Sequence, residues 1–227
     1  MNIKTPLLLR ICTILAGIVL AGSLVFVLFF TPLEAIMGAV QKVFYFHVAS
    51  GWAGMLSFLA ATAAGAAYLK TRRWLWDRLS YSSVEVGLVF TLACIVSGSI
   101  WAKPIWNTWW TWDPRLTTVS IMALIYVAYL LLRRGLDDPE RQARFGAVYA
   151  LLGFVSVPLT FISIRLLRTI HPVVIGSSTS STAGAFALAP EMVTALVFSL
   201  FAFTLIFIVL IWHRTRLGLL EYERENL

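Results

Sequence analysis

Charged residues are scarce in this sequence, and their scarcity excludes a water-soluble globular protein. Only 13% of the 227 residues are charged, whereas 59% are hydrophobic. Most of the chain must therefore contact lipid or neighbouring helices. The short alternation of apolar and polar residues that marks the strands of a membrane β-barrel is also missing. Because only helices and closed barrels satisfy their backbone groups in a bilayer, we predict an all-α, polytopic membrane protein.

Paired cysteines are missing too. The two cysteines, Cys12 and Cys94, lie far apart and form neither a CxxC pair nor a metal-ligand spacing. This pattern excludes a thioredoxin-like redox site and a zinc site. We interpret both cysteines as apolar packing residues of the first and third helices.

Long apolar runs, by contrast, are abundant. A helix that crosses a bilayer needs about 20 mostly apolar residues. Six stretches meet this requirement, near residues 11–30, 43–69, 82–101, 116–132, 146–166 and 192–212. The first resembles a signal peptide, but its apolar run exceeds the roughly 7–15 residues usual there, so we predict a retained helix. Since no soluble segment or internal repeat is found, we predict a single six-helix membrane domain over residues 1–227.

The basic residues predict the orientation, because Lys and Arg accumulate on the cytoplasmic side of membrane proteins. If the N-terminus lies inside, only five of the 18 Lys and Arg residues fall in outer segments, namely Lys42, Lys103, Arg115, Arg165 and Arg168. We therefore predict that both termini are cytoplasmic. The net charge of +7 then reflects topology and attraction to anionic lipid. The basic residues show no groove-like clustering with interleaved aromatics, so we expect no nucleic-acid partner.

The outer segment at residues 103–117 is rich in tryptophan. Four indoles fall within seven residues, at Trp106, Trp109, Trp110 and Trp112. Such a rigid, amphipathic surface suits a flat aromatic ligand, although tryptophans also form membrane-interface belts without any ligand. If this segment forms a surface helix, four residues share one face: Trp106, Trp109, Trp110 and Asp113. Asp113 and Pro114 form the acid-proline pair that begins a helix, so we expect Asp113 to cap the fourth helix or to orient a cation or a histidine.

Two of the three histidines are predicted to lie near the outer surface, one on each side of the tryptophan segment in the sequence. His47 lies about one turn below that surface in the second helix, and His171 lies at the outer end of the fifth. A lone histidine there is commonly a hydrogen-bonded interface residue, but two histidines from different helices can hold one haem iron from opposite faces. Tryptophans would supply apolar walls, and the candidate partners of the haem propionates are Lys103, Arg115, Arg165 and Arg168.

The segment WNTWWTWDPRLT at residues 106–117 resembles the WWD signature of the haem-handling proteins of cytochrome c maturation. Six helices, a WWD segment between the third and fourth, and one flanking histidine on each side are similar to the haem exporter protein C family (CcmC). The resemblance runs from FYFHVASGW at 44–52 to RTIHP at 168–172. Two other WWD groups, the large haem lyase subunit and the synthetase of the alternative pathway, are longer. Asn107 replaces the expected glycine, and Pro114 replaces a common alanine.

The resemblance implies a haem-handling protein of the bacterial inner membrane rather than an enzyme. It implies that haem b is held at the periplasmic face, with its iron between His47 and His171, and is delivered to a periplasmic haem chaperone. The other cofactor-binding residues that we predict are Trp106, Trp109, Trp110, Trp112, Asp113, Arg115 and Arg168. The implied partners are an ABC ATPase, a second membrane subunit and a small single-helix subunit of the exporter complex.

Two other functions remain open from the sequence. A b-type cytochrome that carries electrons also uses paired histidines, but such proteins usually bury the pair within the helix bundle. A permease subunit for another small solute should have polar or broken helices near the midplane of the membrane. Only Pro158, which should bend the fifth helix, gives support of that kind.

Overall fold

The computed structural model describes residues 5–35, 37–167, 169–171 and 188–225. The described residues form seven α-helices, and the first continues into a short π-helix, Phe26–Phe30. Their bounds are α1 Leu7–Val25, α2 Gln41–Thr71, α3 Trp74–Trp106, α4 Pro114–Arg134, α5 Pro139–Gly153, α6 Ser156–Leu166 and α7 Pro190–Glu225.

These helices make six spans that are long and apolar enough to cross a membrane. Helices α5 and α6 together supply the fifth span, Pro139–Ser163, and each other helix supplies one. The prediction of an all-α protein with six transmembrane helices is confirmed, while the orientation of the termini remains a prediction. We call the end of the bundle at which α2 begins and α3 ends the outer end, following that prediction.

Pro158 accounts for the break between α5 and α6. Proline lacks the N–H that would bond to the carbonyl four residues earlier, and its ring crowds that carbonyl. Here the affected carbonyl belongs to Phe154, which instead accepts a hydrogen bond from the Val157 N–H at 3.0 Å. The predicted bend is therefore present, one turn before the proline.

Helices α2 and α3 form an antiparallel pair at the centre of the bundle, with α5 and α7 packed against them. Small residues permit the close approach of α2 to α5, since a Cβ atom at Gly65 would lie 3.3 Å from the backbone of Ala147. Nearer the middle, the buried rings of Phe58 and Tyr126 stack with centroids 3.6 Å apart, which joins α2 to α4.

Two ion pairs, one buried and one half-buried, stabilise the opposite, inner end. The Arg133 guanidinium donates to both carboxylate oxygens of Asp77, at 2.5 and 3.0 Å, and joins α4 to α3. A second pair joins α3 to α7, with Glu85 Oε2 at 2.7 Å from Arg214 Nε. Charges inside a membrane protein are costly unless they are paired, and these contacts give each of the two acids within α3 an arginine partner.

Candidate functional site

One cavity at the outer end contains both predicted histidines. Its volume is about 400 Å³, and its walls include His47, His171, Trp106, Trp110 and Arg115. This volume lies within the range of roughly 300–1,000 Å³ that is usual for small-molecule sites. Residues that are more than 120 positions apart in the sequence therefore border one site.

The remaining walls are mainly apolar and come from five helices. They include Phe44 and Met55 of α2, Met122 of α4, Phe161 of α6 and Leu200 of α7. Met55 follows His47 by eight residues, which corresponds to about 12 Å along a helix. The cavity therefore extends from the outer rim towards the middle of the bundle.

His47 lies in the second turn of α2 and faces α3. Its Nδ1 atom is 2.9 Å from the Cys94 carbonyl oxygen, and that oxygen can only accept a hydrogen bond. The proton must therefore be on Nδ1, which leaves the Nε2 lone pair free for a ligand. The Cys94 thiol is 3.6 Å from the same nitrogen and borders the cavity. Interpreting Cys94 as a packing residue alone overlooked this contact.

His171 lies on the segment that follows α6. Within the described part of the chain its Nδ1 atom is buried and has no hydrogen-bond partner. The pKa of His171 is lowered to about 4, mainly by burial and then by the nearby His47 and Arg115 side chains. The Asp113 carboxylate opposes this shift but does not cancel it. The imidazole is therefore neutral at pH 7, and its 3.8 Å approach to Asp113 is not an ion pair. A neutral imidazole with an unpartnered nitrogen can act as a metal ligand.

Asp113 joins the start of α4 to the segment that carries His171. One carboxylate oxygen caps α4 by accepting from the Arg115 N–H at 2.8 Å. The same oxygen accepts from the Thr169 hydroxyl at 2.8 Å, and the other accepts from the Ile170 N–H at 2.9 Å. The predicted capping role is therefore present. Asp113 also fixes the backbone immediately before His171.

The tryptophan segment does not form the surface helix considered from its spacing. Helix α3 continues to Trp106 and is followed by Asn107, whose φ of 55° lies in the left-handed region. Residues 107–113 then form an irregular connection. Left-handed backbone stops a helix, and asparagine tolerates it better than most residues. This turn prevents the four residues of the proposed face from aligning.

The four tryptophans consequently separate into two pairs. Trp106 and Trp110 border the cavity, and the Trp106 ring lies 5.4 Å from the His171 ring between centroids. Trp109 and Trp112 are 58% and 78% exposed and do not contribute to the cavity wall. Half of the expected aromatic platform thus faces outwards.

Among the predicted cations, Arg115 borders the cavity. One of its Nη atoms donates to the Thr160 carbonyl of α6, which holds the guanidinium at the wall. Lys103 instead closes the turn at Asn107, with Nζ 3.1 Å from the Asn107 carbonyl oxygen. Arg168 and the side chain of Arg165 lie outside the described residues, so both remain predictions.

Two residues at the site were not singled out from the sequence. Trp101 borders the cavity, is only 4% exposed and has an indole N–H without a partner among the described residues. Gly98 also borders the cavity and contacts the His47 ring. Both lie inside an apolar helix, where the pattern alone does not distinguish them from packing residues. Gly51, four residues after His47 on α2, also borders the cavity.

Comparison with known proteins identifies the family. A sequence profile described as “Heme exporter protein C” matches residues 2–227, nearly the whole chain. The chain belongs to this family. The resemblance noted in the WWD segment and its flanking histidines is thereby confirmed.

Several relatives carry the same name. The protein from Bradyrhizobium diazoefficiens is 34% identical over 174 residues, which cover 76% of this chain and 64% of the relative. The protein from Rhodobacter capsulatus is 31% identical over 198 residues, covering 87% and 80%. The protein from Escherichia coli K12 is 28% identical over 197 residues, covering 87% and 78%. With six spans and bacterial relatives of this family, the chain is a multi-pass protein of the inner membrane.

Proposed function

We propose that the protein binds haem in the outer cavity, with the iron between His47 and His171, and delivers it to a periplasmic haem chaperone during cytochrome c maturation. One observation carries the proposal: the side chains of His47 and His171 border the same apolar cavity. Membership of the heme exporter protein C family supports haem as the substrate. The protein positions and exposes its cargo, so no chemical step need be assigned to its own side chains.

The polar atoms around the cavity fit an iron ligand pair. The Cys94 carbonyl holds the proton of His47 on Nδ1, so Nε2 is the nitrogen available to iron. The buried Nδ1 atom of His171 has no hydrogen-bond partner among the residues that the structure describes, and a bond to iron would remove the cost of leaving it unsatisfied. Both histidines can therefore bind iron without first losing a hydrogen bond.

The walls fit a porphyrin with two carboxylates. Trp106 and Trp110 offer flat apolar surfaces to the macrocycle. Arg115 retains guanidinium donors beyond the one used at Thr160, and the buried Trp101 N–H is a second donor, which has no partner within the described part of the chain. We assign propionate binding to these two residues, and Arg168 remains a third candidate from the sequence. Asp113 acts indirectly, because its carboxylate would repel a propionate.

Two exposed tryptophans and the name of the family support the proposed partners of the protein. Trp109 and Trp112 are exposed and lie on either side of Trp110 in the sequence, and Trp110 borders the cavity. We propose that the chaperone contacts these two exposed indoles while it accepts haem. Relatives are named heme exporter protein C, which supports a role in an exporter complex. The other subunits that we propose for this complex are an ABC ATPase, a second membrane subunit and a small single-helix subunit.

Visible spectra of purified protein loaded with haem b test the ligand assignment. We expect a six-coordinate signal in the wild type and its loss in both His47→Ala and His171→Ala. His213→Ala is the matched control, since His213 contacts Thr13 at the inner end. A six-coordinate spectrum that is unchanged in both outer variants would contradict the proposal. Rapid, reversible electron exchange with quinol would favour the b-type electron carrier instead.

A further inference from the structure

The His47 ring approaches the backbone of α3 more closely than most residues at position 98 would allow. A Cβ atom built at Gly98 would lie 2.7 Å from His47 Cε1 and 3.0 Å from Nδ1. Both distances are shorter than ordinary van der Waals contact between such atoms. The imidazole and any side chain at position 98 would therefore compete for the same space.

The space beside Gly98, which the His47 ring occupies, adjoins the Cys94 carbonyl. Cys94 lies four residues before Gly98, one helical turn towards the N-terminus of α3. Because Cα–Cβ bonds tilt towards the helix N-terminus, a side chain at position 98 would extend over this carbonyl. With glycine there, His47 Nδ1 reaches the oxygen at 2.9 Å.

Other polar groups near Nδ1 are weaker partners. Ser97 Oγ lies 3.4 Å away, and its hydroxyl is 2.6 Å from the Ala93 carbonyl oxygen, to which it donates. The Cys94 thiol is 3.6 Å away and is a poor hydrogen-bonding group. The orientation of His47 therefore depends mainly on one backbone oxygen that Gly98 leaves accessible.

We propose that Gly98 is a positioning residue for the haem ligand His47: its missing side chain lets Nδ1–H bond to the Cys94 carbonyl, which directs Nε2 towards the iron. This inference rests on the proposed haem site. Partners behind a ligating histidine fix its tautomer and raise its basicity, and their loss typically weakens metal binding by about 10- to 100-fold. A more basic ligand also favours ferric over ferrous iron.

The first test compares Gly98→Ala with Gly17→Ala in full-length purified protein. Gly17 lies in α1 and has nothing within 4 Å of a built Cβ atom, so it controls for adding a methyl group to a helix. We expect Gly98→Ala to bind haem about 10- to 100-fold more weakly, and its bound haem to have a more positive midpoint potential. Gly17→Ala should match the wild type. Wild-type affinity and potential in Gly98→Ala would overturn the proposal.

A second test avoids any folding defect of that variant. In His47→Gly, added imidazole can occupy the vacated position and donate to the Cys94 carbonyl, whereas 1-methylimidazole has no N–H to donate. We expect imidazole to restore the six-coordinate spectrum at a concentration about tenfold lower than 1-methylimidazole. Equal concentrations would overturn the role of the carbonyl. If the wild type binds no haem, or if His47→Ala leaves its spectrum unchanged, the proposed function itself fails.

Discussion

At the scale of single residues, Asp113 has the widest structural effect at the cavity. Its two carboxylate oxygens accept hydrogen bonds from α4 and from the segment before His171. A charged acceptor makes stronger hydrogen bonds than a neutral one. The same side chain therefore both starts a helix and restrains a proposed iron ligand, although it need not touch the haem.

The chain offers a matched control for this double role. Asp138 precedes Pro139 as Asp113 precedes Pro114, and its carboxylate caps α5 by accepting from the Glu140 N–H at 2.9 Å. We expect Asp113→Ala and Asp138→Ala each to lower the unfolding free energy by about 0.5–2 kcal/mol through the lost cap. Only Asp113→Ala should also weaken haem binding, by roughly tenfold.

Thermal unfolding in detergent measures the first effect of these two variants, and haem titration followed by visible absorbance measures the second. Equal haem affinity in both variants would mean that Asp113 only caps α4.

At the scale of helices, the sequence predicted the spans well and the irregular connections poorly. Six apolar runs indicated six spans because the bilayer imposes a minimum length on each helix, and Pro158 indicated the bend. The extension of α3 through Pro104 to Trp106 was not predicted, since the apolar run that marked the third span ends near residue 101. The surface helix failed at Asn107, because one residue in left-handed backbone redirects the chain.

The candidate site, too, could be predicted only in part. Rare residue types pointed to it, but the groups that folding brings together did not. The histidine pair was found because its residue types are rare in such a chain and both flank the tryptophan segment. Gly98 and the Cys94 carbonyl were missed because a backbone oxygen has no sequence signature, and a glycine among small residues of an apolar helix usually indicates packing. Trp109 and Trp112 turned outwards because the chain after Asn107 is irregular.

The turn after α3 requires a residue that tolerates positive φ at position 107. Asn107→Gly should keep the turn, since glycine adopts positive φ freely. Asn107→Val should lower the unfolding free energy by about 1–2 kcal/mol, because a β-branched residue is strained there. Thermal unfolding in detergent measures both. Lys103→Ala controls for the lost hydrogen bond between Lys103 and the Asn107 side chain, which both variants share. Equal stability of the glycine and valine variants would contradict the role of the turn.

At the scale of the whole molecule, the candidate binding cavity and the buried Asp77–Arg133 ion pair lie at opposite ends of the bundle. The cavity lies at the outer end, and the charge pattern predicts that this end faces the periplasm. The proposed delivery of haem to a periplasmic chaperone requires the same orientation. The Asp77–Arg133 pair lies at the inner end, with side chains only 1% and 4% exposed. The candidate site and this buried ion pair therefore lie at opposite ends of the bundle.

This separation predicts that the inner pair affects stability without affecting the site. Arg133→Leu leaves Asp77 buried without its main partner, so we expect the unfolding free energy to fall by about 3–5 kcal/mol. The double variant Asp77→Leu with Arg133→Leu should recover most of that loss, because no charge then remains buried. Arg141→Leu is the control, since Arg141 belongs to an exposed pair with Asp138 and should have little effect.

Thermal unfolding of Arg133→Leu, Asp77→Leu and the double variant gives the coupling energy of the inner pair. Visible spectra of the haem-loaded proteins test whether the inner pair affects the site. A double variant as unstable as the sum of the two single variants would mean that the pair is not coupled. A changed haem spectrum in a folded Arg133→Leu protein would mean that the two ends communicate. If both results are as expected, two leucines can replace the inner pair with little loss of stability, and the cavity does not depend on that pair.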